Sequence, residues 1–426
     1  MSTSIHIPAT SLPRVVVIGG GFGGIEFCKK IDSEKFQVAL IDKYNYHTFQ
    51  PLLYQVATAG LEPSSIAGPL RKLFEGKKNF YFRMGEVNQI HPEKNCITTS
   101  LGDLAYDYLI IATGTKASYF GKEENYKNSF PLKHLPQALD LRNTILRNME
   151  DALLVDDPKE KQKLLNIVIV GGGPTGVEVA GALSELRKHV LPKDYPELDF
   201  SLMQIYLIEG TDRLLNAMTD TSSRDAFDAL QKMKIHIELN KRVLKHENDE
   251  ATLSDGTVLP CKILVWAAGV TGSMIEGLPP NCITKSNRFI VNEFLEVDGC
   301  KNIFAIGDIA FMRTTEIADG HPQLAPVAMQ QGILLAENLN RVAEKKQPKP
   351  FHYNDKGSMA TIGRNKAVVD FPGNVHFKGF FAWLVWMGVH LISIIGFRNR
   401  AIVLLNWIWN YLTYDRSIRL ILKARK

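Results

Sequence analysis

Short apolar runs that end in small residues or in an acid recur along the chain, and their order sets the expected architecture. Arg14-Val15-Val16-Val17-Ile18 reads as a strand buried on both faces. It passes into Gly19-Gly20-Gly21-Phe22-Gly23-Gly24 and a helix-like stretch over 25–31. A second run, 36–41, ends at Asp42. The same order returns with 166–170, then Gly171-Gly172-Gly173-Pro174-Thr175-Gly176, a helical 177–189 and a strand over 204–208 that ends at Glu209. In this copy the acid lies more than thirty residues past the last glycine, because the Pro-containing stretch 189–201 is interposed. Runs 108–114 and 263–269 are expected to return the chain to the sheets of the first and second copies, and 302–308 reads as a closing strand of the first. The fold class that follows is α/β, with two Rossmann-like dinucleotide-binding domains, the second inserted into the first. The expected ranges are 12–119 and 276–350 for the first domain and 120–275 for the second, leaving 351–426 as a C-terminal region.

That last region has a different texture. Residues 357–371 suggest a strand pair, followed by two very apolar blocks, Gly379–Phe397 and Ala401–Tyr414. The first holds no Asp, Glu, Lys or Arg and is just long enough to span a bilayer, but it contains Gly379, Gly388 and Gly396, and the second block is too short to return. In the second, Asn399, Asn406, Asn410, Thr413 and Ser417 fall on one helical face, interrupted by Val403. Leu404, Leu405, Ile408 and Trp409 take the other, with Trp407 and Tyr411 at the boundary. Lys378, Arg398, Arg400, Arg416, Arg419, Lys423, Arg425 and Lys426 flank or follow, against the single acid Asp415. This pattern favours an amphipathic anchor lying on a membrane surface, with anionic headgroups as partners, over a transmembrane hairpin. A buried core helix is the plainer alternative, and pairing of two copies through these helices is compatible with the pattern.

Composition narrows the function. At ~100–200 residues per domain, 426 residues make two or three domains, too many for a small disulfide scaffold. A net charge of +5, from 50 basic and 45 acidic residues, is too mild for a general nucleic-acid binder. Cys28, Cys96, Cys261, Cys282 and Cys300 form no C-x-x-C pair and no metal-ligand spacing, so no metal site is expected and the compartment is read as reducing. Residues 1–13 lack the pattern of a secretory or organelle leader. His134, His321 and His352 are read as structural or surface residues.

Glycines spaced as G-x-G-x-x-G let the backbone turn tightly, approach a pyrophosphate and pack helix on strand. Two copies in one chain point to two dinucleotides. An acid ending the second strand binds ribose hydroxyls, so Glu209, followed by Gly210, favours NADH, while Arg213 leaves NADPH open.

Beyond these fingerprints, three segments carry a specific resemblance: Tyr46-His47-Thr48-Phe49-Gln50-Pro51-Leu52-Leu53-Tyr54-Gln55-Val56-Ala57-Thr58, the strand ends Ala112-Thr113-Gly114 and Ala305-Ile306-Gly307-Asp308, and Leu324-Ala325-Pro326-Val327-Ala328-Met329-Gln330-Gln331-Gly332. With them the chain resembles the type II NADH:quinone oxidoreductases, respiratory flavoproteins of glutathione-reductase-like fold that do not pump protons. The resemblance implies FAD at the first site, held by Gly19, Gly21, Gly24, Asp42, Lys43, Val87, Thr113, Gly114, Gly307, Asp308 and Ala328. It implies NADH as substrate at the second, with Gly171, Gly173, Gly176, Glu178, Glu209 and Gly269. A membrane quinone is expected beside Tyr46, Pro326, Gln330 and Gln331, with Pro326 standing where the family has glutamine. Glu178 and Gln330 are the expected catalytic residues. Glu178 also fits a plain acid in the first turns of a helix. The expected location is the cytoplasmic face of a bacterial inner membrane. Sulfide:quinone oxidoreductases and flavin disulfide reductases share the two-site plan but use a reactive cysteine pair. A flavoprotein sensor resembling apoptosis-inducing factor is the non-enzymatic alternative.

Overall fold

Strands without a polar face need cover on both sides, and the computed structural model gives it to them in two parallel sheets. Described are residues 5–314, 317, 320–373, 375–415 and 418–422. The chain divides into two units. The first comprises 1–47, 68–116 and 270–355, and the second 48–67, 117–269 and 356–426.

In the first unit, Arg14–Ile18 lies at the centre of a five-stranded parallel sheet. On one side follow Gln37–Asp42 and Phe80–Met84, on the other Tyr108–Ile111 and Ile303–Ala305. The expected closing strand therefore pairs with the first sheet, although more than 190 residues separate it from its neighbour Tyr108–Ile111. Val15, Val16, Val17, Leu109 and Ile110 are fully buried, which accounts for the unbroken apolar runs. The fingerprint helix Phe22–Lys30 packs on helix Ala325–Ala343 so closely that a Cβ at Gly332 would run into the carbonyl of Gly23.

The second unit repeats the plan, with strands in the order Phe130–Pro131, Ile263–Trp266, Ile167–Val170, Ile205–Ile208 and His236–Glu238, all parallel. The fingerprint helix is Pro174–His189, with proline in its first turn, where no N–H is needed. The expected strand pair near 360 has a third member: Ser358–Gly363, Lys366–Phe371 and Val375–Lys378 form an antiparallel sheet. It lies on the fingerprint helix, where a Cβ at Gly181 would collide with the carbonyl of Ile362.

The units do not follow the four expected ranges. Residues 48–67 join the second unit, and so does the C-terminal region. The reason lies in the last helix, Phe397–Thr413. Its polar stripe faces the protein: the Asn399 and Asn410 amides donate to the carbonyls of Ala67 and Gly60, at 3.1 and 3.0 Å, and the Trp407 indole N–H donates to Gln55 at 2.8 Å. Val403, the interruption in that stripe, is fully buried. The apolar stripe faces outward, with Leu405 65% and Leu412 73% exposed. The first apolar block does not form one helix. It runs as Gly379–Ser393 and then breaks at Gly396, whose φ of +88° suits glycine. No helix among the described residues is long and apolar enough to cross a membrane. Arg416, Ser417, Lys423, Arg425 and Lys426 of the expected amphipathic and basic pattern lie outside the described residues.

Candidate functional site

Each unit carries a glycine-loop cradle of the same construction. In the first, Gly19 has φ +104°, and a Cβ at Gly24 would strike the carbonyl oxygen of Gly19, so strand, turn and helix meet with no room for a side chain. Gly21, at the helix N-cap, opens on free space where a phosphate can meet the helix N-terminus. The Asp42 carboxylate closes the loop, accepting from the N–H of Gly20 at 2.6 Å and of Tyr44 at 2.7 Å. Burial raises its carboxyl above the ordinary value, against the pull of those two bonds and of Lys43. His47 is also buried here; its Nδ1 lies 3.0 Å from the carbonyl of Gly20, and burial brings the ring down to about 4, so it is neutral at physiological pH.

The other first-site residues gather at the strand ends of this unit. Asp308 accepts from the Thr115 hydroxyl at 3.1 Å, and its carbonyl accepts from the Gln323 amide at 2.9 Å. Gly307 has φ +74°, its N–H donates to Gln331 at 2.7 Å, and a Cβ on it would lie 3.1 Å from that of Ala328. The Thr113 hydroxyl is buried with no hydrogen-bond partner, and Gly114 opens on free space. An orphaned hydroxyl, two open glycines and a carboxylate at the second strand's end fit a dinucleotide such as FAD. Lys43 is exposed beside Tyr44, and Val87 opens an antiparallel strand.

The second cradle repeats the first. Gly171 has φ +107°, a Cβ at Gly176 would strike the carbonyl of Gly171, and Gly173 opens on free space. Glu209 accepts from the N–H of Gly172 at 2.5 Å and from the N–H and hydroxyl of Thr211 at 2.9 and 2.8 Å. Arg213 is engaged elsewhere, paired with Asp220 and bonded to Asn216, which weighs toward an unphosphorylated ribose. Gly269, at the end of the neighbouring strand, faces the ring of Phe120.

Glu178, five residues past the Gly173 cap, is buried, and burial pushes its carboxyl up to about 8, although the Thr361 N–H, at 3.5 Å, and the Trp386 indole favour the charged form. It lines a cavity of about 120 Å³ within the second unit, together with Arg364, Trp383, Trp386 and Tyr411. None of the four expected quinone residues lines it. Pro326 sits in the first turn of its helix, and Tyr46 packs on Tyr44. Both polar atoms of the Gln330 amide are bonded to the backbone of Asn354, at 2.9 and 3.0 Å, and Gln331 is buried on Gly307. Sequence reasoning passed over Thr115, Gln323, Thr361 and Arg364. Only the Gly363-Arg364-Asn365 turn signal between two strands hinted at the last of these.

Cys282 and Cys300, distant in sequence, lie within thiol hydrogen-bond reach of one another, but both are buried and burial raises both thiols above the ordinary value. Cys28, Cys261, Cys282 and Cys300 are buried, and burial pushes Cys28 and Cys261 up to about 12 and Cys282 to about 11. Such thiols are poor nucleophiles.

Comparison with known proteins agrees with this construction. A family described as pyridine nucleotide-disulphide oxidoreductase matches residues 13–332, and one described as NDH2 C-terminal domain matches residues 356–414. A type II NADH:quinone oxidoreductase, NdhA, of Mycobacterium tuberculosis is 36% identical over 92% of this chain and 86% of its own length. NDH2 of Plasmodium falciparum, solved in complex with NADH, shares the fold with a TM-score of 0.88 at 24% identity, covering 96% of this chain and 100% of that one. The sulfide:quinone oxidoreductase of Aquifex aeolicus is further away in fold, with a TM-score of 0.70 at 21% identity and 92% of each chain covered. With two complete cradles, family models over residues 13–332 and 356–414 and a relative matched over nearly the whole length, the chain belongs to the type II NADH:quinone oxidoreductases.

Proposed function

We propose that this chain carries out the family's reaction, oxidation of NADH with two-electron reduction of a quinone and no proton pumping, by holding FAD in the first cradle and NADH in the second. When bound, FAD supplies the two-electron relay between nucleotide and quinone. The remaining work falls to the protein. Asp42 and Glu209 brace the glycine loops and take ribose hydroxyls, while the helix N-termini behind Gly21 and Gly173 meet the pyrophosphates. Glu178, protonated at neutral pH, holds a proton on its carboxyl in a buried site, where it can orient the nicotinamide or release that proton. Gln330 and Gln331 act as positioning residues that fix Asn354 and the Gly307-Asp308 turn.

The observation that carries this reading is the repeated cradle, each copy closed by its own carboxylate. We further propose that the protein lies on the cytoplasmic face of a bacterial inner membrane, with the outward stripe of Phe397–Thr413 in contact with lipid. Support comes from the exposed Leu405, Leu412 and Phe397 and from Lys378 and Arg398 nearby in the chain. Pairing of two copies would use the same stripe.

The test is purification from detergent-extracted membranes, a visible spectrum, and oxidation of NADH and NADPH with soluble ubiquinone and menaquinone analogues. A yellow protein that oxidises NADH in a quinone-dependent way, with NADPH much slower, is expected. Absence of flavin refutes the reading. Flavin bleached by NADH but reoxidised by no quinone keeps the two nucleotide sites and removes the quinone.

A further inference from the structure

The second cradle ends on two turns that are laced together. Glu209-Gly210-Thr211 follows strand Ile205–Ile208, and residues 239–242 follow His236–Glu238, the next strand of the sheet. The Lys241 N–H donates to the carbonyl of Glu209 at 3.1 Å, and the Asn240 N–H to that of Thr211 at 2.8 Å. The backbone of Arg242 is fixed as well. Its N–H donates to the Ser254 hydroxyl at 3.1 Å, and its carbonyl accepts from the Ser254 N–H at 2.8 Å. From that anchor the side chain lies along Gly210, where an added Cβ would come within 3.4 Å of Nε and 3.5 Å of Cγ. The bare glycine after the ribose acid therefore leaves the arginine lying on the acid's own turn.

Residues 209–216 and 238–242 hold three cations, Arg213, Lys241 and Arg242, and the first two are committed. Arg213 pairs with Asp220, and Lys241 with Glu238 and Asp255 at 2.7 and 2.8 Å. Arg242 is exposed, and its side chain makes no ion pair or hydrogen bond among the described residues. It does not pair even with Glu209, whose oxygens accept from Gly172 and Thr211. A free guanidinium at the ribose end of a dinucleotide site calls for an anion. NADH carries none on that ribose, whereas NADPH carries the 2′-phosphate. Beside Glu209 alone, this phosphate meets like charge. Beside Arg242 as well, it meets a planar fork suited to paired hydrogen bonds with phosphate oxygens.

We infer that Arg242 is a specificity-determining residue that takes the 2′-phosphate of NADPH, so that the chain accepts NADPH as a slower second substrate. The inference rests on the reading of the second cradle as the NADH site. Glu209 disfavours the phosphate, Arg242 offsets part of that cost, and the preference for NADH is the balance of the two. The 2′-phosphate takes no part in hydride transfer. Removal of Arg242 therefore acts on the binding of NADPH, and so on its KM, more than on kcat.

The experiment compares wild type, Arg242→Gln and Arg242→Lys as FAD-loaded full-length proteins. Calorimetric titration with NADP+ and NAD+, which differ only in the 2′-phosphate, is combined with steady-state kinetics of NADPH and NADH and one soluble quinone analogue. Expected for Arg242→Gln is an affinity for NADP+ weakened about tenfold or more, with a much smaller loss for NAD+. The KM for NADPH should rise by a similar factor, so that the NADH-to-NADPH ratio of kcat/KM widens about tenfold. Arg242→Lys is expected to recover part of the loss, since charge returns without the fork. Added salt should weaken NADP+ binding to the wild type more than to Arg242→Gln, as befits an exposed charge pair. An unchanged affinity for NADP+ in Arg242→Gln overturns the assignment. So do equal losses for both nucleotides, which would place the guanidinium on the adenine ring or mark a purely structural residue. A wild type that binds and oxidises neither nucleotide removes the reading of the second cradle, and the inference with it.

Discussion

Glu178→Gln separates the cost of burying this acid from anything the acid does in turnover. The side chain is buried, and its carboxyl lies at about 8 against an ordinary 4.5. An unfolded chain ionises the group from the ordinary value upward, whereas the fold keeps it protonated to about 8, so in that window the folded state holds one proton more. Stability contributed by this group is therefore lost as pH rises, at ~1.4 kcal/mol per pH unit and about 5 kcal/mol over the whole window. Glutamine keeps the shape and a hydrogen-bonding head but never ionises, so the variant carries no such slope. Between pH 6 and pH 8, where the slope falls off as the folded group itself begins to ionise, the wild type should lose about 2 kcal/mol relative to the variant. In a chain of this length that corresponds to ~1–2 °C per kcal/mol, so the gap in Tm should widen by about 2–4 °C. Thermal melting of the flavin-loaded proteins at several pH values between 6 and 8 reads it directly. Parallel melting temperatures across that range would refute the argument and mean that the carboxyl is solvated or charge-paired.

Glu209→Ala is expected to raise KM for NADH about tenfold or more, from loss of charged hydrogen bonds worth ~1.5–3 kcal/mol, and to narrow the preference over NADPH; an unchanged NADH-to-NADPH ratio of kcat/KM would take the ribose role away from this acid. Replacing all five cysteines with alanine should leave NADH:quinone turnover within about threefold of wild type, since burial keeps them protonated. Loss of turnover with flavin retained would revive a thiol mechanism. Leu405→Asp combined with Ile408→Asp should cut co-sedimentation with anionic lipid vesicles at least tenfold while turnover with a soluble quinone analogue persists, and binding that survives both changes would place the lipid contact elsewhere.

Much of the nucleotide-binding framework was legible because its determinants are local. Gly19, Gly24, Gly171 and Gly176 meet their constraints within six residues or across one neighbouring strand, and Asp42 and Glu209 announce themselves at strand ends. Even the distant strand Ile303–Ala305 was readable, since its run into Gly307-Asp308 resembles the first sheet's other ends. What escaped depends on contacts between remote segments. The bond from Asn399 to Ala67 joins residues 332 apart in sequence, and that from Trp407 to Gln55 residues 352 apart, so no pattern near position 55 announces that 48–67 belongs with the C-terminal helices. Gln330 carried a similar ambiguity. Its residue type suits a ligand contact as well as it suits the backbone of Asn354, and only the fold shows both amide atoms occupied.

The last helix shows why a periodic pattern names a face but not its surroundings. Helical periodicity separates Asn399, Asn406 and Asn410 from Leu405, Ile408 and Leu412, yet either stripe could meet water. The choice is made by segment 58–67, whose carbonyls at Gly60 and Ala67 accept from Asn410 and Asn399 and would cost ~1–3 kcal/mol each if buried without a donor. The asparagine amides supply those donors only if the polar stripe turns inward, and this forces the leucines outward. Leaving a Leu or Ile side chain in water forgoes ~1.5–3 kcal/mol apiece, a sum over four or five residues that outweighs the hydrogen bonds gained. The inward orientation is therefore favourable only when something apolar covers the outer stripe. A row of exposed leucines and a tryptophan beside satisfied polar groups is the surface that the proposed lipid contact would cover.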